Sequence, residues 1–265
     1  MYTHKFDPIL ISFGFIEIRW YSLAYIFGIL LGWWLGKKII DFRSKSKLTT
    51  CKIEDFDELI TYLIISIILG GRLGYVIFYN FDYYINNPID ILKIWQGGMS
   101  FHGGLIGVII ATFLFAKKNN IKVFNLLDIV ACVAPIGLFF GRIANFINGE
   151  LYGNPSNMPW SVIFPNVDDL PRHPSQLYEA FFEGIVLFIL LNLFIFNKKT
   201  ISGFCSSLFL IFYGLFRVIG EQFREPDLHI GYLFNLFSLG SVLSFFMIVV
   251  GTFILLSLKK NERNS

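Results

Sequence analysis

Apolar residues run through this chain in seven long stretches: 18–36, 59–79, 101–116, 126–147, 177–196, 203–220 and 236–258. Most are close to the roughly 20 residues that a helix needs to cross about 30 Å of hydrocarbon. The third is short, and the fourth is interrupted by Pro135 and Gly137. Between the stretches, basic residues gather at alternate connections. Lys37, Lys38, Arg43, Lys45, Lys47 and Lys52 follow the first stretch, Lys117, Lys118 and Lys122 the third, Lys198 and Lys199 the fifth, and Lys259, Lys260 and Arg263 the last. Lys and Arg mark cytoplasmic flanks, so seven crossings with the N-terminus outside and the C-terminus cytoplasmic satisfy all four clusters. Six or eight crossings break the alternation. The pattern predicts an all-α polytopic membrane protein, one domain over 1–265. Its 148–176 segment, with several prolines, Trp160, Asp168 and Asp169, forms a small extracytoplasmic cap. The charged stretch 41–58 reads as a solvated cytoplasmic connector.

Composition agrees with this reading. Hydrophobic residues make up 55% of the 265 residues and aromatics 18%, with a mean hydropathy of +0.61. A soluble domain needs a polar coat that this chain lacks. A net charge of +3 gives no footprint for nucleic acid. Cys51, Cys132 and Cys205 are far apart, which excludes a disulfide framework or a CxxC metal site. The first apolar stretch is too long for a cleaved signal peptide and lacks its basic start, so it is read as a retained span.

The informative residues are the polar ones that the apolar stretches carry. A charged side chain in hydrocarbon is costly, so an intramembrane ionisable group is a functional hypothesis by default. Arg72, Arg142, Arg217 and Arg224 fall within or at the outer ends of spans two, four and six. Each taken singly also fits a snorkelling side chain or a structural ion pair. On span four, Arg142, Asn145 and Gly149 are spaced three and four apart and share a face. Asn148, Glu150 and Gly153 follow at once. Span six carries Tyr213, Arg217, Glu221 and Arg224 in one stripe, where an Arg217–Glu221 pair is a structural alternative. His102 lies between Gly97-Gly98 and Gly103-Gly104, an arrangement that leaves it uncrowded at the outer mouth of span three. Tyr21 sits beside Trp20 at the outer end of span one, a place typical of interfacial aromatics. His173-Pro174-Ser175-Gln176 is positioned to cap span five, on which Glu179 and Glu183 are one turn apart. His4 and His229 have no supporting context.

Arginine's planar fork grips phosphate at two points and remains charged when partly buried. Several such forks facing the outer leaflet imply an anionic lipid head group. A histidine nearby is suited to exchanging a proton near neutral pH. None of the cysteines lies by the arginines, so a nucleophile would belong to the substrate. There is no HExxH, DxD or carboxylate cage, and neither metal nor cofactor is expected. A transporter or flippase for an anionic solute uses similar arginines, although it commonly shows paired half-repeats that this chain lacks. A head-group transferase with some other acceptor is a further alternative.

Four segments carry a resemblance. The run from Gly141 to Gly153, GGMSFHGGLIG at 97–107, RHPSQLYE at 172–179 and YGxxRxxxExxR at 213–224 are similar, in this order, to motifs of the prolipoprotein diacylglyceryl transferases. The 148–176 segment is short beside that of longer members. The resemblance implies a multi-pass enzyme of the bacterial cytoplasmic (inner) membrane, with its active site toward the outer leaflet. It implies transfer of the sn-1,2-diacylglyceryl group from phosphatidylglycerol to the lipobox cysteine thiol in a prolipoprotein signal peptide. The products would be a thioether and sn-glycerol 1-phosphate, in the first step of lipoprotein modification. Its implied roles make Arg142 and Arg217 the phosphate-binding catalytic pair and His102 the acceptor of the thiol proton, or only an orienting group where the arginine field itself generates thiolate. Tyr21, Asn145, Asn148, Glu150, Gly153, Tyr213 and Glu221 would shape the head-group pocket, with Gly153 setting a turn.

Overall fold

A computed structural model describes residues 2–13, 16–94, 97–225, 232–233 and 237–264. The helices are α1 (Trp20–Lys45), α2 (Ile53–Tyr79), α3 (Phe81–Asn86), α4 (Phe101–Lys118), α5 (Val123–Asn148), α6 (Ser175–Glu179), α7 (Leu187–Ile195), α8 (Phe204–Glu221) and α9 (Leu239–Asn264). A π-helical stretch, Ala180–Val186, joins α6 to α7, so that Ser175–Ile195 is one continuous span. Among the described residues, seven helical segments are long and apolar enough to cross a membrane, and they coincide with the seven stretches of the sequence.

Three local expectations are corrected. The stretch 41–58 is mostly helical: α1 continues to Lys45 and α2 begins at Ile53, leaving 46–52 as the connection. Charges end a hydropathy run without ending a helix when they are paired. Lys45 meets Asp41 at 2.8 Å, one turn apart, and Lys37 meets Asp57 at 2.8 Å. The Lys52 backbone N–H donates to Asp55 Oδ2 at 2.8 Å and starts α2. The second correction concerns Pro135, which lies inside an unbroken α5. A proline removes one N–H and crowds the preceding turn, and the Cys132 carbonyl in that turn accepts from Asn192 Nδ2 at 3.1 Å.

Third, the chain is mostly helical and not wholly α. Strands β1 (Tyr2–Thr3), β2 (Ile9–Phe13), β3 (Ile16–Arg19), β4 (Val162–Ile163), β5 (Pro171–Arg172), β6 (Tyr232–Leu233) and β7 (Phe237–Ser238) form short ladders. β2 and β3 make an antiparallel hairpin. β4 pairs with β1 in parallel and with β5 antiparallel, so part of the 148–176 segment folds onto the chain's N-terminal strand.

The described chain divides into two compact units, 1–36 with 130–265, and 37–129. In the second, α2 and α4 pack through glycines. A Cβ placed on Gly74 would lie 2.6 Å from the Gly103 Cα, and one on Gly70 2.5 Å from the Gly103 carbonyl oxygen. Lipid offers no hydrophobic drive for helix association, and small residues let backbones approach closely enough for dispersion to hold them. In the first unit, Leu187, Leu191, Ile195, Cys205, Phe209 and Tyr213 build the core where α7 meets α8.

Candidate active site

α5 carries Arg142 and Asn145 on successive turns and ends at Asn148. The chain then reverses through two left-handed residues, Gly149 (φ +67°) and Leu151 (φ +55°). A left-handed φ is easy for glycine and strained for leucine. Neighbours hold the reversal: Ser175 Oγ donates to the Leu151 carbonyl at 2.8 Å, and Gln176 Nε2 donates to the Glu150 carbonyl at 2.5 Å. These two side chains therefore do not cap their own helix, as the sequence led us to expect. Gly153 does not set the turn either. It sits where three backbones converge: its N–H donates to the His173 carbonyl at 3.0 Å, and a Cβ there would lie 2.6 Å from the Phe223 carbonyl oxygen.

Just beneath this turn lies a buried ion network. Glu179, at the end of α6, and Glu183, in the π-helical stretch, are 2% and 0% exposed. Arg142 Nε is 3.0 Å from Glu179 Oε2, and its Nη2 is 3.2 Å from Glu183 Oε2. From α8, Arg217 Nη1 donates to Glu179 Oε1 at 2.7 Å and lies 3.7 Å from Glu183 Oε1, while its Nη2 pairs with Glu221. Arg224 reaches within 3.9 Å of Glu179 Oε1. Tyr213, one turn before Arg217, is buried and stacks on Phe209. The structural Arg217–Glu221 pair is thus present, but as one edge of a larger network.

A second, smaller cluster adjoins on α5. Asn145 Nδ2 donates to the Tyr21 hydroxyl and lies 3.5 Å from Glu150 Oε2, and Asn148 Nδ2 donates to Glu150 Oε1 at 3.3 Å. Glu150 therefore meets amides in the described structure. Beyond it, Arg172 joins Asp168 at 2.5 Å, Glu225, and the Gly153 carbonyl at 3.1 Å. The Arg172 guanidinium holds the Asp168 carboxyl below its ordinary range.

His102 and Arg72 belong to the other unit. Ser100 caps α4 by accepting from the Gly103 N–H at 3.2 Å, which places His102 in the first helical turn. The flanking glycines do not leave His102 uncrowded. It is only 9% exposed, with the Phe101 ring at its edge, and Gly103 is consumed by packing on α2. Arg72 likewise departs from expectation. Its guanidinium donates to the carbonyls of Asp90 (2.7 Å), Ile91 (2.9 Å), Gly98 (3.2 Å), Lys93 (3.3 Å) and Gly97, and it lies over the Tyr84 ring. That arginine organises the chain before His102.

The sequence-derived residues Arg142, Arg217, Tyr213 and Glu221 meet in one network, and Tyr21, Asn145, Asn148 and Glu150 in its neighbour. Glu179 and Glu183 were noted only for their spacing. Their signal was present, since carboxylates in an apolar stretch are as anomalous as arginines.

Comparison with known proteins covers this whole region. The family model for prolipoprotein diacylglyceryl transferase matches residues 8–257. A Rickettsia felis protein named phosphatidylglycerol–prolipoprotein diacylglyceryl transferase is 54% identical over 251 residues, covering 94% of this chain and 95% of the relative. Relatives of the same name from Rickettsia canadensis (54% identity, 93% of this chain and 94% of theirs) and Rickettsia bellii (52%, 94% of each) match similarly. A family model matching residues 8–257, together with identity above one half over 94% of the chain, places it in the prolipoprotein diacylglyceryl transferase family of membrane enzymes.

Proposed function

We propose that this protein transfers the sn-1,2-diacylglyceryl group from phosphatidylglycerol to the lipobox cysteine thiol of a prolipoprotein signal peptide. A thioether forms at the glycerol carbon and sn-glycerol 1-phosphate departs. The observation that carries the proposal is the near full-length identity to relatives named for this activity. The reaction runs at the outer leaflet of the bacterial cytoplasmic membrane. The N-terminus is outside and the C-terminus cytoplasmic, and 148–176 is the extracytoplasmic cap of a single transferase domain.

In this reading Arg142 and Arg217 bind the phosphate and stabilise the charge that grows as the glycerol C–O bond breaks. His102 takes the proton of the acceptor thiol, whose ordinary pKa of about 8.5 leaves little thiolate at neutral pH. Tyr21, Asn145, Asn148, Glu150, Gly153, Tyr213 and Glu221 form the head-group pocket. Asn148 Oδ1 is buried without a hydrogen-bond partner among the described residues, as an acceptor awaiting a glycerol hydroxyl would be.

The test is incubation of the purified protein with phosphatidylglycerol labelled in its acyl chains and lipobox peptides bearing Cys or Ser. Label should pass to the Cys peptide alone, and a Cys peptide left unlabelled would refute the proposal. Topology is tested separately by Ser44→Cys, Asn119→Cys and Asn166→Cys on a Cys-free background. Only the last should react with an impermeant reagent in intact cells.

A further inference from the structure

Three arginines and three glutamates meet in the buried network: Arg142, Arg217 and Arg224 with Glu179, Glu183 and Glu221. With every group ionised their charges cancel, so the site is electrically complete before any ligand arrives. A phosphodiester brings one further negative charge into the low-dielectric region of the spans, where an unbalanced charge is expensive. It must also take N–H donors that carboxylates already occupy. Arg142 donates from Nε and Nη2 to Glu183 Oε2, with Nε also 3.0 Å from Glu179 Oε2, and Arg217 presents Nη1 to Glu179 and Nη2 to Glu221.

The carboxylates are not held equally. Glu179 accepts from Arg217 and has three guanidinium groups around it, with Arg142 Nε at 3.0 Å and Arg224 at 3.9 Å. Glu183 has one close guanidinium, Arg142, which donates to its Oε2 from Nε (3.4 Å) and Nη2 (3.2 Å), and Arg217 lies 3.7 Å away. Its Oε1 is buried with no hydrogen-bond partner among the described residues, as is Glu179 Oε2. Glu179 Oε2 has Arg142 Nε at 3.0 Å, however, whereas the nearest described cation to Glu183 Oε1 is Arg217 at 3.7 Å. The groups facing it are Arg142 from α5, Arg217 and Tyr213 from α8, and Glu179 from its own span, with Arg224 and Glu221 farther out. Once its guanidinium contact is surrendered, Glu183 is a buried carboxylate with no adequate counter-charge. A proton corrects that.

Resting on the reading that Arg142 and Arg217 bind the lipid phosphate, we propose that Glu183 is a displaceable internal counter-ion and that phosphate binding is coupled to the uptake of one proton by its carboxylate. The balance is complete: one anion enters, one proton arrives from water, the carboxylate becomes a carboxylic acid, and the network stays neutral. Glu183 is a positioning residue. It holds the arginine forks in place between turnovers and releases them to phosphate.

The experiment is calorimetric titration of the full-length protein in detergent with phosphatidylglycerol micelles, in buffers of different ionisation heat. The wild type should take up about one proton per lipid bound, and its Kd should rise about tenfold per pH unit on the alkaline side. Glu183→Gln is neutral from the start, so the uptake should vanish and the Kd should become flat with pH and tighter than wild type at pH 8. Glu183→Asp should restore the uptake, which a merely structural role would not require. Zero uptake by the wild type overturns the proposal, as does uptake undiminished in Glu183→Gln. If Glu183→Gln fails to accumulate, the wild-type proton count decides alone. Arg142→Ala separates the two layers: wild-type lipid affinity in that variant removes the phosphate site itself, whereas lost affinity with a zero wild-type count removes only the coupling.

Discussion

Arg72 and Arg217 are both buried on apolar helices, at 3% and 8% exposure, yet they are satisfied in opposite ways. Arg72 donates to backbone carbonyls of 90–98, whereas Arg217 donates to the side chains of Glu179 and Glu221. Carbonyls fixed in a backbone cannot leave without unfolding the segment that bears them. Carboxylates on flexible side chains can swing away when a better anion arrives. In the proposed reading, the same residue type makes a structural clamp in one unit and an exchangeable anion site in the other. What distinguishes them is the mobility of the acceptor.

The sharpest way to break this contrast is Arg142→Lys. Lysine preserves charge and loses the planar two-point grip. Transfer to a lipobox peptide should fall by about 1,000-fold, near the upper range for removing one stabilising donor, while insertion into the membrane is unchanged. Near-normal turnover would sink the exchangeable-site interpretation.

His102→Gln should lower turnover by about 100-fold and remove a limb near neutral pH from the rate profile. Phosphatidylglycerol binding should persist, and a variant with the wild-type rate and profile would eliminate His102 as base. Arg72→Lys tests the clamp. One ammonium cannot reach five carbonyls, so stability should drop by about 2 kcal/mol, read as a lower midpoint of thermal unfolding in detergent. Turnover per folded molecule should fall far less than in Arg142→Lys, and the reverse ranking would make Arg72 part of the chemistry.

Asp168→Asn gives the smallest effect. Arg172 lowers the folded-state pKa of Asp168 below its ordinary 3.8. The pairing therefore stabilises the fold above that value and is lost as pH falls through the lowered one. The variant should unfold slightly earlier than wild type at pH 7, and the two should converge under acid. A gap that widens in acid would contradict the pairing.

The spans were legible because hydrocarbon imposes a length and an apolar composition that few other structures require. The anomalous polar residues were legible for the same reason: Arg142 and Arg217 stand out against their surroundings. Acceptors were harder. Nothing local distinguishes Arg72, bound by carbonyls about 20 residues away, from Arg217, bound by Glu179 on another span. The ladder of Tyr2–Thr3 with Val162–Ile163 was invisible, since a two-residue strand has no periodicity and is fixed by backbone pairing across the chain. The glycines around His102 were visible but misread. Their role depends on which helix lies opposite, and Gly70 and Gly74 supply that answer only in three dimensions.

The π-helical stretch Ala180–Val186 makes the site sensitive to residue number as well as to residue type. Wide turns of this kind accommodate an additional residue within an otherwise α-helical span and recur at functional sites. Each residue of an α-helix advances about 100° around its axis. Removing Phe181 would let the stretch relax to α-helix with Glu179 and α7 still in phase, while Glu183, inside the stretch, would be turned by a fraction of that angle. Phe181 is half exposed and touches none of the arginine contacts described above, so another apolar residue there should be harmless. Its deletion would aim Glu183 away from Arg142. Sequence variation across this span should therefore be rich in substitutions and almost free of gaps.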